Sequence, residues 1–351
     1  MAVTIPWDAG LSRTGQIKGD AATWVAGSAG FDKNRALFLK LGAAEVLNAF
    51  ERTTVFKGKV RERNIRGGKS VAFPITGKMA ARYHEPGKAI LGEGNTPSDL
   101  NERIINLDGL MIADVAIDNL DELMTYFDVR SIYTTELGRA LAYEYDKRVA
   151  RMIFAAAALA TEPLAKAGNA GRIGSTITLG ADYTGAGATR QAKGDALVNA
   201  IFDARIAMEK KDVPMDGTVA IFGPEDYYAI TMSSRAINTD FNGESGGNGT
   251  IAEGRTLRVA GIPIMVSNHI TQPAYSLVAG DYNSDYAQDL SKCHGLIFNR
   301  ECVGVLSLLS PGLQVTSGDW NISHQATLLV ARQALGMGVL RAESAVRLVT
   351  A

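Results

Sequence analysis

Few places in this 351-residue sequence set chemically capable side chains close together. Gly67-Gly68-Lys69-Ser70 has the ending of a phosphate-cradling loop, where glycine N–H groups and a lysine hold nucleotide phosphates. The full pattern needs a glycine five residues before Gly68, and Arg63 stands there. It also needs a following helix, whereas Val71-Ala72-Phe73-Pro74 is strand-forming and ends on proline. The four residues therefore read as a turn. Gly185-Ala186-Gly187 is a lone fragment of such a cradle and reads as a surface loop. Cys293, His294 and Cys302 would supply three zinc ligands, with no fourth suggested. His84, His269, His294 and His324 are scattered, none with a partner at the helical spacing of a metal site. No GxSxG elbow is set up, since Gly243-Glu244-Ser245-Gly246-Gly247 falls in a Gly-rich loop, and HExxH and paired-aspartate metal patterns are missing. The expectation is no catalytic residue, no metal ligand and no cofactor.

What remains is charge. Residues 57–69 hold six basic side chains, Lys57, Lys59, Arg61, Arg63, Arg66 and Lys69, against the single acid Glu62. The return segment, 84–102, is rich in Gly and Pro and carries Glu85, Glu93, Asp99 and Glu102. A formal net charge of -1 argues against nucleic acid as the main partner, since counterion release needs a basic excess. The basic run also lacks interleaved aromatics for base stacking, with only Phe56 and Phe73 near its ends. An acidic surface on a neighbouring subunit explains it at least as well. Lys57, Lys59, Arg61, Arg63, Arg66, Lys69, Glu85 and Glu93 are thus candidate inter-subunit contacts. A solvated hairpin is the plainer alternative. Two cysteines are too few for a disulfide framework and suggest a reducing compartment. The start of the chain lacks a secretory pattern, and the most apolar run, 152–160, is far short of a membrane span. A soluble protein made inside a cell, with no membrane partner, is expected.

The elements around these residues follow from periodicity. Residues 1–30 are poor in apolar periodicity and read as an extended arm. Leu37 to Phe50 suggest a short helix interrupted at Gly42. Strands at 55–60 and 69–75 flank the turn-prone residues 66–68, which predicts a β-hairpin or a long two-stranded loop. That loop has too few large apolar residues to bury itself. Residues 107–117 read as a strand leading into a helix capped by Asp118. Its pattern runs through Leu123, Phe127, Leu137, Leu141, Val149 and Ile153 to about Thr161, before Pro163. Unbroken, such a helix would be about 65 Å long, against about 50 Å across a compact globule of this size. It must break, with Gly138 the candidate point, or belong to an elongated, flat molecule. Leu123, Phe127, Leu137 and Leu141 are expected on its buried side, packed against Leu328 and Val330.

Beyond a Gly/Ala/Thr-rich connector at 165–192, with a strand near 177–179, a helix is expected at 194–210. A strand at 218–222, a helix at 224–232, a Gly-rich loop at 241–253 and a hairpin around Gly261 follow. The last strands are expected at 276–279, 295–298, 303–309, 326–334 and 346–349. Without regular βαβ alternation, the class is α+β.

The order of these parts, and several runs of residues, resemble the major capsid proteins of short-tailed, T7-like bacteriophages, which have the HK97 capsid fold. The runs are LFLKLGAAEVLNAF at 37–50, Gly68-Lys69-Ser70 with Phe73-Pro74, Leu107-Asp108-Gly109-Leu110 with Ala113-Asp114-Val115, and Phe127-Asp128-Val129-Arg130-Ser131. Weaker matches are Pro224-Glu225-Asp226-Tyr227, Gly295-Leu296-Ile297-Phe298 and residues 336–345. The resemblance spans residues 30–351 and is strongest before Met152. It implies an N-terminal arm (1–55), an E-loop lying over a neighbouring subunit (56–106), and a peripheral domain with a long spine helix (107–165). An axial domain (166–302) and the closing strands of the peripheral domain (303–351) complete it. The implied function is a major capsid protein, not an enzyme, self-assembling into hexamers and pentamers of an icosahedral head around double-stranded DNA. Implied partners are itself, a scaffolding protein, a portal at one vertex, and minor or decoration proteins. Assembly in the host cytoplasm and residence in the virion follow. Some relatives cross-link a lysine to an asparagine between subunits; no pattern here signals that chemistry. Two alternatives stand beside this reading: an encapsulin-like nanocompartment shell, and a nucleotide-binding enzyme.

Overall fold

The computed structural model describes residues 54–76, 83–87, 100–124, 129–160, 173–185, 187–233, 258–316 and 319–350. The expected arm, the helix at 37–50 and the loop at 241–253 lie outside them, as do Glu93 and Phe127. The chain divides into two compact units. The larger contains Val55–Gly109, Tyr145–Leu308 and Leu335–Ala351; the smaller contains Leu110–Glu144 and Leu309–Ala334.

The larger unit is built on a six-stranded mixed sheet of β5 (Ser175–Leu179), β6 (Thr218–Phe222), β7 (Arg258–Val259), β8 (Ile262–Val266), β9 (Cys293–Asn299) and β12 (Ala345–Thr350). The spatial order is β5-β12-β9-β6-β8-β7. Successive side chains in a strand point to opposite faces, and the central strands are apolar on both. Val219, Ile221, Leu296 and Phe298 face one core, together with Met152 and Ile153. Ala220, Phe222 and Ile297 face the other, against a helix at Arg190–Glu209 and one at Pro224–Met232. The first of these buries Leu197, Ile201, Ala204 and Met208, spaced four, three and four apart as one helical face requires. Its N-terminus is capped by Thr189, whose hydroxyl accepts from Ala192 N at 3.2 Å. The two helices cross at Gly194, where a Cβ would overlap the Ala229 carbonyl oxygen.

The predicted hairpin between 55–60 and 69–75 does not form. Residues 55–60 are turns, closed by Lys59 N donating to Phe56 O at 3.0 Å, with Gly58 at φ 77°. Phe56 and Val60 are fully buried, and Phe56 stacks on Phe298 with ring centroids 6.0 Å apart. The strand begins later, at β1 (Arg61–Asn64), and pairs in parallel with residues 304–307 of β10 (Val303–Val315). β2 (Ser70–Thr76) pairs antiparallel with β3 (Leu100–Asn106), from Ser70 opposite Asn106 to Thr76 opposite Leu100. Phe73, Ile105, Leu107, Leu306 and Leu340 form a small apolar cluster at the foot of this ribbon. Burial of Phe56 and Val60 fixes the preceding chain to the sheet, so β2 takes a partner from the far side of its own loop. Residues 276–279, expected as a strand, are irregular.

The smaller unit packs one helix face on one sheet face. β4 (Leu110–Asp118) pairs antiparallel with residues 326–334 of β11 (Ala326–Val339). Asp118 closes the strand, its carboxylate accepting from Leu120 N at 2.8 Å, and α1 (Asn119–Met124) follows. The long helix, α2, runs Val129–Ala158, about 45 Å at 1.5 Å per residue. It passes through Gly138 without a break. It stops short of Pro163, where Gly174 comes close against the Ala156 and Ala157 carbonyls and its N–H bonds to Leu159 O. Leu137 and Leu141 are buried as predicted, with Val115, Ile117, Leu329 and Ala331. Two expectations fail here. Leu123, on α1, is 84% exposed and is not part of the buried face that holds Leu137 and Leu141. The strand partners are Leu329 and Ala331, not Leu328 and Val330; a one-residue shift in β11 selects the opposite face.

Candidate assembly surfaces

The basic run lies on turns and on β1 in the larger unit. Lys57, Arg61, Arg63, Arg66 and Lys69 are exposed and Lys59 is half-buried. Arg61 and Arg63, two residues apart on a strand, both stand over the buried Phe73 ring, at 5.8 and 5.7 Å from its centroid. The ring anchors their stems and leaves two charges side by side at the surface. Between them Glu62 faces the other way, accepting from Tyr145 OH and Gly58 N, each at 3.1 Å. Gly68 turns the chain at φ 109° and leads straight into β2, so the Walker-like fragment has no helix behind it. Glu85 is exposed.

At the ribbon's foot the sequence reading missed a buried charged network. Asp108 follows β3, accepts from Tyr286 OH at 2.6 Å and from Tyr282 N at 3.3 Å, and lies 3.9 Å from Arg148. Arg148, on α2, pairs with Asp281 at 2.8 Å. Asp281 also accepts from Tyr275 OH at 2.9 Å and Val278 N at 3.1 Å. Beside it Gly109 N bonds Gly280 O at 2.8 Å, and a Cβ on Gly109 would come within 3.1 Å of Gly280 Cα. Burial pushes the Asp108 carboxyl above its ordinary range, opposed by the Tyr286 and Tyr282 hydrogen bonds and by Arg148. The signal was present in Leu107-Asp108-Gly109, read only as a family likeness.

Among its described residues the smaller unit exposes several large apolar side chains. Leu110 and Ile112 alternate outward on β4, Leu120 and Leu123 stand out from α1, and Ile132 on α2 and Ile322 are also exposed. So many large apolar residues outside the core of a small unit mark a surface that another molecule covers.

The other sequence candidates are structural. Cys293 and Cys302 are free and buried, and burial pushes the Cys293 thiol up to about 12. His294 instead meets Asp226 at 3.0 Å and Tyr183 OH at 2.8 Å, joining β9 to the two helices at Ala181–Thr184 and Pro224–Met232. Among the described residues no cluster of His, Cys, Asp and Glu fits a metal ion. Asp146, on α2, accepts from Val55 N at 2.8 Å, and burial pushes its carboxyl up to about 6.

A mixed α+β body, a two-stranded ribbon rooted beside a long helix, and open apolar faces define an HK97-like capsid subunit. A solved capsid structure of the cyanophage P-SCSP1u superposes with a TM-score of 0.76 at 32% identity, covering 98% of this chain and 99% of that one. The mature capsid of bacteriophage PhiM1 shares the fold, with a TM-score of 0.69 at 16% identity over 88% of this chain and 91% of that one. The major capsid protein of Escherichia phage T7 is 30% identical over 325 residues, 88% of this chain and 90% of the relative. Residues 72–349 match the family model described as Gp10A-like major capsid protein, and the chain belongs to that family. It is a structural, shell-forming protein of the virion.

Proposed function

We propose that this chain tiles an icosahedral phage head as hexamers and pentamers around double-stranded DNA, with no catalytic role. Residues 56–106 form the E-loop, rooted on its own subunit by Phe56, β1 and Phe73, with the part between Thr76 and Leu100 lying over a neighbouring subunit. Residues 107–165 and 303–351 form the peripheral domain, with β12 at its end lent to the axial sheet between β5 and β9, 166–302 the axial domain, and 1–55 the arm. Lys57, Lys59, Arg61, Arg63, Arg66, Lys69, Glu85 and Glu93 contact neighbours. A scaffolding protein, a portal, and minor or decoration proteins join during assembly in the host cytoplasm. The observation that carries this reading is that, among the described residues of the smaller unit, large apolar side chains such as Leu110, Ile112 and Leu123 are exposed. Such a surface is stable in water only transiently and is covered when copies pack.

The ribbon supplies the test. Thr76 lies opposite Leu100, so residues 77–99 can be replaced by Asn-Gly to close the ribbon as a tight hairpin. β1 and Phe73 stay in place, because both belong to the folded body. The shortened protein should melt like the parent and form no closed shells in negative-stain images. Normal shells from it overturn the proposed role of the loop.

A further inference from the structure

The basic run has a second use that the spatial structure creates. A cleft of about 410 Å³ in the larger unit brings Lys59 together with Arg258 and Arg300, which are distant in sequence. Asp216 is the single carboxylate among its described lining residues. Each cation sits on backbone fixed from beneath. Lys59 lies in a turn between fully buried Phe56 and Val60. Arg258 opens β7, paired with Pro263 on β8, and the turn between these strands is held by Arg205, which donates to Ala260 O. Arg300 follows Asn299, whose buried amide donates to Pro214 O at 2.9 Å and Asp216 O at 2.8 Å. That clamp fixes the turn forming the remaining wall, where Gly217 stands at φ 75° with no side chain to fill the cleft.

We propose that this cleft binds phosphate groups. Three basic residues, Lys59, Arg258 and Arg300, lining one concave volume suit a multiply charged oxyanion with three or more acceptor oxygens. A side-chain carboxylate offers two oxygens and one charge, too few to engage all three. Fixed walls lower the ordering cost of binding. Two sources carry this chemistry, a free oligophosphate and the phosphodiester backbone of nucleic acid. The inference does not depend on the assembly role, because the cleft belongs to a single subunit.

The test uses the full-length protein, with sodium tripolyphosphate followed by calorimetry and a fluorescein-labelled single-stranded oligonucleotide followed by anisotropy. Arg300→Gln should weaken binding about tenfold, and each lost contact should reduce the salt slope for the oligonucleotide by about one. Asp216→Asn keeps the wall's shape and should tighten binding several-fold. Both variants change exposed side chains, and an unchanged thermal melt confirms the fold. Saturable binding of tripolyphosphate alone identifies a free-phosphate site. Oligonucleotide binding, weakened by Arg300→Gln, identifies the nucleic-acid backbone as the source. The proposal is overturned if neither probe binds, if Asp216→Asn weakens binding, if Arg300→Gln changes nothing, or if polyglutamate binds in place of both.

Discussion

Replacing Arg148 by Met removes the guanidinium that lies between the Asp108 and Asp281 carboxylates and keeps most of the side chain's volume. Asp281 has a side chain 1% exposed and pairs with Arg148 at 2.8 Å. Removing one partner of a buried pair leaves an uncompensated charge, at a cost of about 3–5 kcal/mol. The remaining acceptor bonds from Tyr275 and Val278 offset part of this, which places the expected loss near 3 kcal/mol. Asp281→Asn, added to Arg148→Met, removes the stranded charge while leaving an oxygen to accept from Tyr275. The double variant should recover about half of the loss. Urea denaturation of the unassembled subunit measures all three proteins, and the coupling between the two changes should exceed about 1 kcal/mol. Because Asp108 and Gly109 tie the ribbon's foot to residues 280–286, Arg148→Met should also lower shell yield beyond what its stability loss explains. Equal stability of parent and single variant, or a double variant no better than the single, would refute this account of the network.

Three further outcomes follow from particular residues. Leu141→Ala should cost about 2–5 kcal/mol and leave insoluble subunit, whereas Leu123→Ser should shift the melt by less than about 0.5 kcal/mol and reduce shell assembly; equal behaviour of the two would contradict the observed helix register. Asp146 has a folded-state pKa of about 6 against an ordinary 3.8, so the folded chain keeps a proton that the unfolded chain has released between those values. Stability from this group is therefore highest below about pH 4 and falls as pH rises to about 6, by at most about 3 kcal/mol; Asp146→Asn should remove that slope from urea midpoints measured across the window, and parallel curves would rule the assignment out. Reversing Arg61, Arg63 and Arg66 to Glu should impair assembly of empty precursor shells, scored by sedimentation; normal empty shells with failed DNA filling would place these residues against the genome instead.

The sequence by itself determined the class of fold and most of its elements. The continuous apolar run Thr218–Phe222 and the four-residue steps of Leu137, Leu141, Tyr145 and Val149 reflect local geometry, which a chain carries wherever it folds. The likeness at residues 107–110 marked the place of the buried charged network without revealing its partners. Tertiary structure decided what depends on partners distant in the chain. It sent β1 to β10 and β2 to β3, because burial of Phe56 against Phe298 outweighed the closeness of the two segments in sequence. It chose Leu329 over Leu328, since a strand with apolar residues on both faces does not declare which one faces the helix. It also joined Asp108 to Arg148 and Asp281, and Lys59 to Arg258 and Arg300. Charge interactions act through space, and no spacing along the chain encodes those meetings.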